Sequence, residues 1–203
     1  SRIMPFSPAV NTVLSNFEAG SNYKDTKDPA VFVTFPLEDE PGTSLVAWTT
    51  TPWTLPSNLA VAVGPEIEYS LIKTAEAQWV IGSNCLEKYA EDLGEYVVLA
   101  TMPGSTLVGR NYKPLFNFFA ERDDAFRVLS ADFVDTSEGT GIVHMAPGFG
   151  EDDQVTCEAN GIEIGQVVPV DDRGNFTHAV EPWANENVFD ANPKIIQHLK
   201  EVD

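Results

Sequence analysis

Apolar and polar positions change period along this chain, and the changes mark out its elements. Short runs rich in β-branched and aromatic residues predict strands at Val31 to Phe35, Ser44 to Trp48, Leu59 to Val63, Tyr69 to Lys73, Gln78 to Ile81, Tyr96 to Met102 and Arg127 to Val134. The acidic loop Pro36 to Thr43 returns the chain and makes the first two a hairpin. Gly64-Pro65 and Ala75-Glu76-Ala77 divide the next three, which suggests a compact β meander. A helical period begins at Asn84, where Asn84 and Glu87 have capping-box spacing, Leu86, Tyr89, Ala90 and Leu93 share a face, and Gly94 supplies the stop. Gln154 to Asn160 reads as a short helix closed by Gly161, and a last helix takes Asn192 as N-cap, Pro193 at its first position and Ile195, Leu199 and Val202 on one face. Val167 to Val170 leads into a turn at Asp171 to Gly174, while 107–119 mixes aromatics with Gly109 and Pro114 and fits no period. The first thirty residues have none either, and read as an extended tether. Many short strands against three helices predict a mixed β/α fold, a β-barrel-like core of short strands with peripheral helices. One domain over 1–203 is expected, with 1–30 as an extended leader and 31–203 as the core.

Charge narrows the partners. Acidic residues outnumber basic ones 31 to 12, a formal net charge of −19, the opposite of the basic footprint of phosphate-neutralising proteins. A polynucleotide, if bound at all, would be gripped at one end, with other parts of a larger molecule supplying phosphate contacts. The two cysteines, Cys85 and Cys157, lack CxxC spacing, so neither a disulfide framework nor a zinc site is indicated. No run of about 18 apolar residues exists, no membrane contact is expected, and a soluble, cytoplasmic protein is the expectation. A start at Ser1 suggests a processed chain or an excised piece of a longer one.

Two stretches do not fit ordinary core elements. The first is Trp48 to Asn58, WTTTPWTLPSN, where an apolar run feeds three threonines and Pro52 and Pro56 flank a second tryptophan, Trp53. β-Branched threonines favour extended backbone and Pro52 restricts Thr51 further, so the hydroxyls stand on a stiff ribbon that ends at a rigid corner. Strand alternation puts Thr49 and Thr51 on one face and Thr50 on the other. Hydroxyls donate and accept, which suits a small ligand carrying a carbonyl, an amine and ring nitrogens; a Thr-rich strand end before a Pro turn would show the same pattern.

The second is Glu138 to Asp153, EGTGIVHMAPGFGEDD, in which Gly139 and Gly141 permit a tight turn, Ile142 and Val143 form a strand, and His144 and Asp153 stand nine positions apart across a glycine loop. The pair fits a general-base histidine oriented by a carboxylate, a metal site, or a pocket whose carboxylate receives an ammonium group. It equally fits a helix with an acidic first turn beside a satisfied strand-end histidine. The metal is the weakest of these, because His178 and His198, in turn and helix contexts, complete no ligand spacing.

Together the two stretches resemble the editing domain of isoleucyl-tRNA synthetase, the large insertion in that class I enzyme. The valyl and leucyl relatives carry an arginine in the threonine motif, where this chain has Thr51-Pro52-Trp53. Ile3 to Ser7, Leu14 to Ala19 and Thr43 to Trp48 also match, so the resemblance covers nearly the whole chain. Gly148-Phe149-Gly150 stands where the common bacterial form has Gly-His-Gly, as in the eukaryote-like branch.

The resemblance implies hydrolysis of valine wrongly esterified to the 3′-terminal adenosine of the isoleucine tRNA, within a parent synthetase whose ATP site is absent here. No cofactor and no metal would be needed. Thr50, Thr51, His144 and Asp153 would be the catalytic group; Thr49, Trp53, Asn58, His144 and Asp153 would bind substrate. Asp153 would take the α-ammonium group, His144 would refuse the larger isoleucine, Asn58 would help fix the pocket and Trp53 would be a wall or a structural support rather than a catalyst. No nucleophile stands beside a base, so water, positioned by the pocket and a ribose hydroxyl, is the expected attacker. The rivals are a silent binding module for an amino acid or nucleoside and a free-standing metallohydrolase sensitive to chelator.

Overall fold

In a computed structural model of the chain the described residues are 30–162, 169–171, 173–177, 179–181 and 183–201, together with two short strands, Phe6–Ser7 and Thr12–Val13, that pair antiparallel. The expected leader, the run Val167 to Val168, Asp172, His178 and Val202 otherwise lie outside them.

Eight further strands form two sheets. The larger has the order β1-β2-β5-β4-β6, from β1 (Val31–Pro36), β2 (Thr43–Thr49), β4 (Glu68–Thr74), β5 (Gln78–Gly82) and β6 (Tyr96–Pro103). The smaller has the order β8-β3-β7, from β3 (Ala60–Val63), β7 (Arg127–Ser130) and β8 (Ile142–Met145). The expected hairpin is present, with Val31 opposite Thr49 and Pro36 opposite Ser44.

The meander needs correction. Only β4 and β5 pair as neighbours in it, and β3 leaves for the second sheet, antiparallel to β8 and parallel to β7. The reason lies in its composition: Ala60-Val61-Ala62-Val63 is fully buried, and a strand with no polar face needs partners on both edges and cover on both sides. The core of short strands is as expected, but the described strands make two open sheets rather than a closed barrel. They meet where β8 lies against β2.

A buried loop fixes that meeting. Gly139 and Gly141 take φ values of 72° and 78°, the left-handed region glycine tolerates, and between them the Thr140 hydroxyl donates to the Val46 carbonyl at 2.6 Å. The Tyr69 hydroxyl donates to the Gly141 carbonyl and accepts from the Gly64 N–H. The entry to β8 is thereby held against the middle of β2.

The helices differ from expectation in their bounds. The segment from Asn84 forms a 3-10 turn at Ser83–Cys85 and only then α1 (Ala90–Leu93), with no side-chain cap. Leu86, Tyr89 and Leu93 still pack on buried Ile72, Ile81 and Cys85, and Gly94 still ends the helix, at φ 68°. Burying those side chains decided the segment, and cap spacing did not. Arg127 to Val134 is a strand only to Ser130. The helix after His144 is α2 (Glu151–Ala159), opened as expected by the acidic turn Glu151, Asp152 and Asp153, which suits the helix N-terminus.

α3 (Val188–Glu201) begins one turn before the expected cap. Asn187 performs the capping task, its side-chain oxygen accepting from the Phe189 N–H at 3.1 Å. Asn192, placed inside the helix, is buried and bonds another element, as described next.

Candidate active site

Pro52 fixes the first residue of a 3-10 helix, Pro52–Ser57, in which the Thr54 N–H and hydroxyl both donate to the Thr51 carbonyl, at 3.0 and 2.8 Å. The threonine ribbon therefore ends in a tight corner. From α3 the side-chain oxygen of Asn192 accepts the Trp53 N–H at 2.9 Å, which satisfies an amide that a helix start leaves open.

This corner, the end of β8 and the start of α2 enclose a cavity of about 230 Å³. It is lined by Trp48, Thr49, Thr50, Thr51, Thr54, Val143, His144, Ala146, Phe149 and Asp153. The structure thus brings together five of the seven residues singled out from sequence. The alternation expected for the threonines is visible in their surroundings: Thr49 is buried and its hydroxyl accepts the Thr51 N–H at 3.1 Å, while Thr50 is exposed at the mouth.

His144 is buried and engaged at both ring nitrogens. The Asn58 amide nitrogen lies 2.8 Å from Nδ1 and donates also to the Ala60 carbonyl at 2.9 Å. A carbonyl only accepts, so the amide nitrogen must face it, Nδ1 must accept, and the ring proton sits on Nε2. Nε2–H then donates to Thr54 Oγ1 at 3.0 Å, whose own hydroxyl proton goes to the Thr51 carbonyl. Burial pushes the His144 pKa down to about 4, so the ring is neutral at physiological pH.

Asp153 is different. Half-buried in the first turn of α2, its carboxylate accepts one hydrogen bond from the described residues, from the Ala146 N–H at 2.9 Å. Burial raises its pKa, the Ala146 bond opposes the rise, and the neighbouring Asp152 charge adds to it. A partly desolvated carboxylate with free acceptor capacity is suited to a cation. The room for it comes from Gly150: a Cβ there would lie 3.1 to 3.3 Å from the Asp153 carboxyl atoms.

Trp53 and Asn58 are not in the cavity wall. The Trp53 ring packs edge-on behind Phe149, centroids 5.0 Å apart, so of its two expected places it takes the supporting one and Phe149 lines the cavity. Asn58 lies behind His144. His198 stacks on Phe116 at 5.6 Å, and among the described residues no three His, Cys, Asp or Glu side chains group as ligands. Cys85 and Cys157 are both buried and free.

Sequence reasoning missed Thr54 and Tyr112. Thr54 had a signal, since a residue three after Thr51 across a proline-started 3-10 turn sits directly above it. Tyr112, fully buried, donates its hydroxyl proton to the Asn58 side-chain oxygen from 54 positions away, and no local pattern announces it.

No family profile matches the chain. It is 45% identical over 203 residues to an isoleucine–tRNA ligase of Chlamydia abortus and 48% identical over 207 residues to the cytoplasmic isoleucine–tRNA ligase of Mus musculus. Each match covers 98% of this chain but only 19% and 16% of the relative, so the chain spans less than a fifth of their length. Among solved structures it resembles GlLeuRS-CP1, with a TM-score of 0.67 at 15% identity over 86% of this chain and 96% of that one. The editing domain of Plasmodium knowlesi cytosolic leucyl-tRNA synthetase gives a TM-score of 0.62 at 13% identity, over 85% and 93% of the two chains.

Proposed function

The chain is homologous to one segment of the isoleucine–tRNA ligases and has the fold of the leucyl-tRNA synthetase editing domains, and from that premise we propose that it is an aminoacyl-tRNA deacylase that clears valine from the isoleucine tRNA. The observation that carries the reading is the carboxylate of Asp153, partly desolvated and with one hydrogen-bond donor among the described residues, in a small cavity whose other polar lining is threonine hydroxyls and a neutral ring.

Valine and isoleucine differ by one methylene, worth only roughly 1–3 kcal/mol in a binding pocket, a figure taken from double-sieve editing, of which this synthetase is itself the standard case. A second, smaller site has to hydrolyse the error. In the reading offered here the substrate is the valine ester on the 3′-terminal adenosine, presented to this segment by the remainder of the parent synthetase in the cytoplasm. Asp153 receives the α-ammonium group in a charge-assisted bond. Thr50 and Thr51 meet the ester and ribose, Thr49 holds Thr51, and His144 limits the side-chain space.

Water adds through its oxygen to the ester carbonyl. The bond to the ribose oxygen then breaks, the ribose recovers a proton, and valine leaves as its carboxylate with net release of one proton. Since both nitrogens of His144 are already bonded within the wall, the proton of the attacking water is assigned to the ribose hydroxyl network rather than to the imidazole. That same saturation of His144 favours, as second reading, a module that binds the aminoacyl end without turnover.

Deacylation of valine-charged and isoleucine-charged tRNA separates the two. The parent synthetase bearing this segment is expected to release valine quickly and to spare isoleucine. Binding of the valyl ester without release would select the silent module, and equal release of both would reject the sieve.

A further inference from the structure

We propose that Tyr112 is a positioning residue for the cavity: by donating its hydroxyl proton to Asn58 it pins the amide that fixes His144 as the uncharged Nε2–H tautomer, leaving Asp153 as the only charge among the described residues that line the cavity. The inference rests on the editing reading for its functional consequence, though not for its geometry.

The polarity of the chain of bonds follows from its two ends. At one end the Ala60 carbonyl can only accept, so the nitrogen of Asn58 faces it and the oxygen faces Tyr112. The phenol must then donate. It cannot instead give up its proton, because complete burial raises its pKa well above the ordinary tyrosine value. At the other end the Thr51 carbonyl also only accepts, so Thr54 donates to it and must accept from His144. Both ends agree on one direction: Tyr112 to Asn58, Asn58 to Nδ1, and Nε2–H to Thr54. Turning the amide over would set its oxygen against the Ala60 carbonyl and its nitrogen against the phenol proton.

The same direction forbids an imidazolium. A proton on Nδ1 would point at the amide protons of Asn58, so the ring stays neutral for a geometric reason as well as for its burial. That matters to Asp153, which lines the same cavity. A cationic ring there would attract the carboxylate that the substrate ammonium needs. Last, Thr54 spends its proton on the Thr51 carbonyl, and the Thr51 hydroxyl lies between the hydroxyls of Thr54 at 3.3 Å and Thr49 at 3.4 Å, which ties the threonine corner to the same chain of bonds.

Tyr112→Phe removes one hydroxyl from a residue that keeps its ring contacts with Phe35 and Phe126. The test has two parts. With histidine-labelled chain, 15N NMR of wild type is expected to show His144 as Nε2–H throughout neutral pH, and Tyr112→Phe to show a mixture of tautomers. In the parent synthetase the variant's kcat for valyl-tRNA deacylation is expected to fall roughly tenfold, the upper range for one neutral hydrogen bond, with KM for tRNA unchanged. An Nδ1–H wild type, or a Tyr112→Phe that keeps the pure tautomer, overturns the proposal. So does a variant that loses rate with the tautomer unmoved, since a purely structural role would act that way.

If Tyr112→Phe does not fold, two measurements still decide. Asn58→Asp keeps the shape but replaces the donor to Nδ1 with an acceptor, and must shift the proton to Nδ1. In wild type the Tyr112 hydroxyl proton must be in slow exchange with a cross-peak to the Asn58 side chain; its absence rejects the link. A wild-type synthetase that releases no valine while showing the pure Nε2–H tautomer would reject the editing reading and spare this one.

Discussion

The two walls of the cavity are built on opposite principles. On the His144 wall the polar side chains are matched within the protein: the imidazole between Asn58 and Thr54, Asn58 between Tyr112 and Ala60, Thr54 against Thr51. On the Asp153 wall a half-buried carboxylate of four acceptor sites has, among the described residues, one protein donor, the Ala146 N–H. A saturated wall is rigid and has nothing left to offer a ligand but shape. An unsaturated one costs stability alone and recovers it when a cation arrives. Shape on one side and charge on the other is what a site needs to recognise a small amino acid by its size and its ammonium group.

The largest effect that could break this contrast is at Asp153. Asp153→Ala is expected to abolish valyl-tRNA deacylation, because one hydrogen bond to a charged group is worth roughly 1.5–3 kcal/mol and here it also places the ester. Thermal stability should hardly change, since the substitution removes a desolvated charge along with its single bond. Wild-type valine release by the purified variant, or a collapse of its melting temperature, would show that the carboxylate serves the fold instead.

His144→Ala tests the other wall. As a size gate, its loss should raise isoleucyl-tRNA hydrolysis far more than it lowers valyl-tRNA hydrolysis; a parallel loss on both, by roughly 10²–10⁴-fold, is what a general base would give. The sign of its titration supplies a second readout. The native pKa of about 4 lies below the unfolded 6.5, so the unfolded state binds the proton more tightly. The contribution is fully present above 6.5 and is lost as pH falls toward 4, about 3 kcal/mol in all. Acid unfolding monitored between those values should lose that limb in the variant; an unchanged limb would mean His144 is not held neutral.

The smallest effect is expected from Gly150→Ala. Its backbone φ of −145° is open to alanine, so only the Cβ contact with the Asp153 carboxyl is new. The carboxylate must move by a few tenths of an ångström, and KM should rise a few-fold with kcat and melting temperature nearly unchanged. A fall in stability of more than about 1 kcal/mol would place the fault in packing rather than in the charge.

Much of this was legible in the chain. Period-two runs between Gly and Pro breaks marked the strands at Val31, Ser44, Tyr69, Gln78 and Tyr96, because alternation, β-branching and turn residues are local properties. Thr49 to Thr51, His144 and Asp153 stood out for a related reason: each sits at the end of a strand or the start of a helix, where local sequence fixes direction. Asn192 shows the limit. Its position before Pro193 looked like a cap, but a partner 139 positions away, the Trp53 N–H, took its side chain into the interior and let the helix start earlier.

What the sequence determined by itself, then, was the set of elements and the two chemistry-bearing corners, since these depend on neighbours within a few residues. Only the tertiary structure decided that Ala60 to Val63 joins β8 rather than β4, that Trp53 stands behind Phe149, and that Tyr112 fixes His144 through Asn58. Those outcomes depend on satisfying buried polar groups across long separations. A carbonyl that must be matched, or a strand with no polar face to show to water, selects its partner by energy, and nothing in the spacing along the chain records the choice.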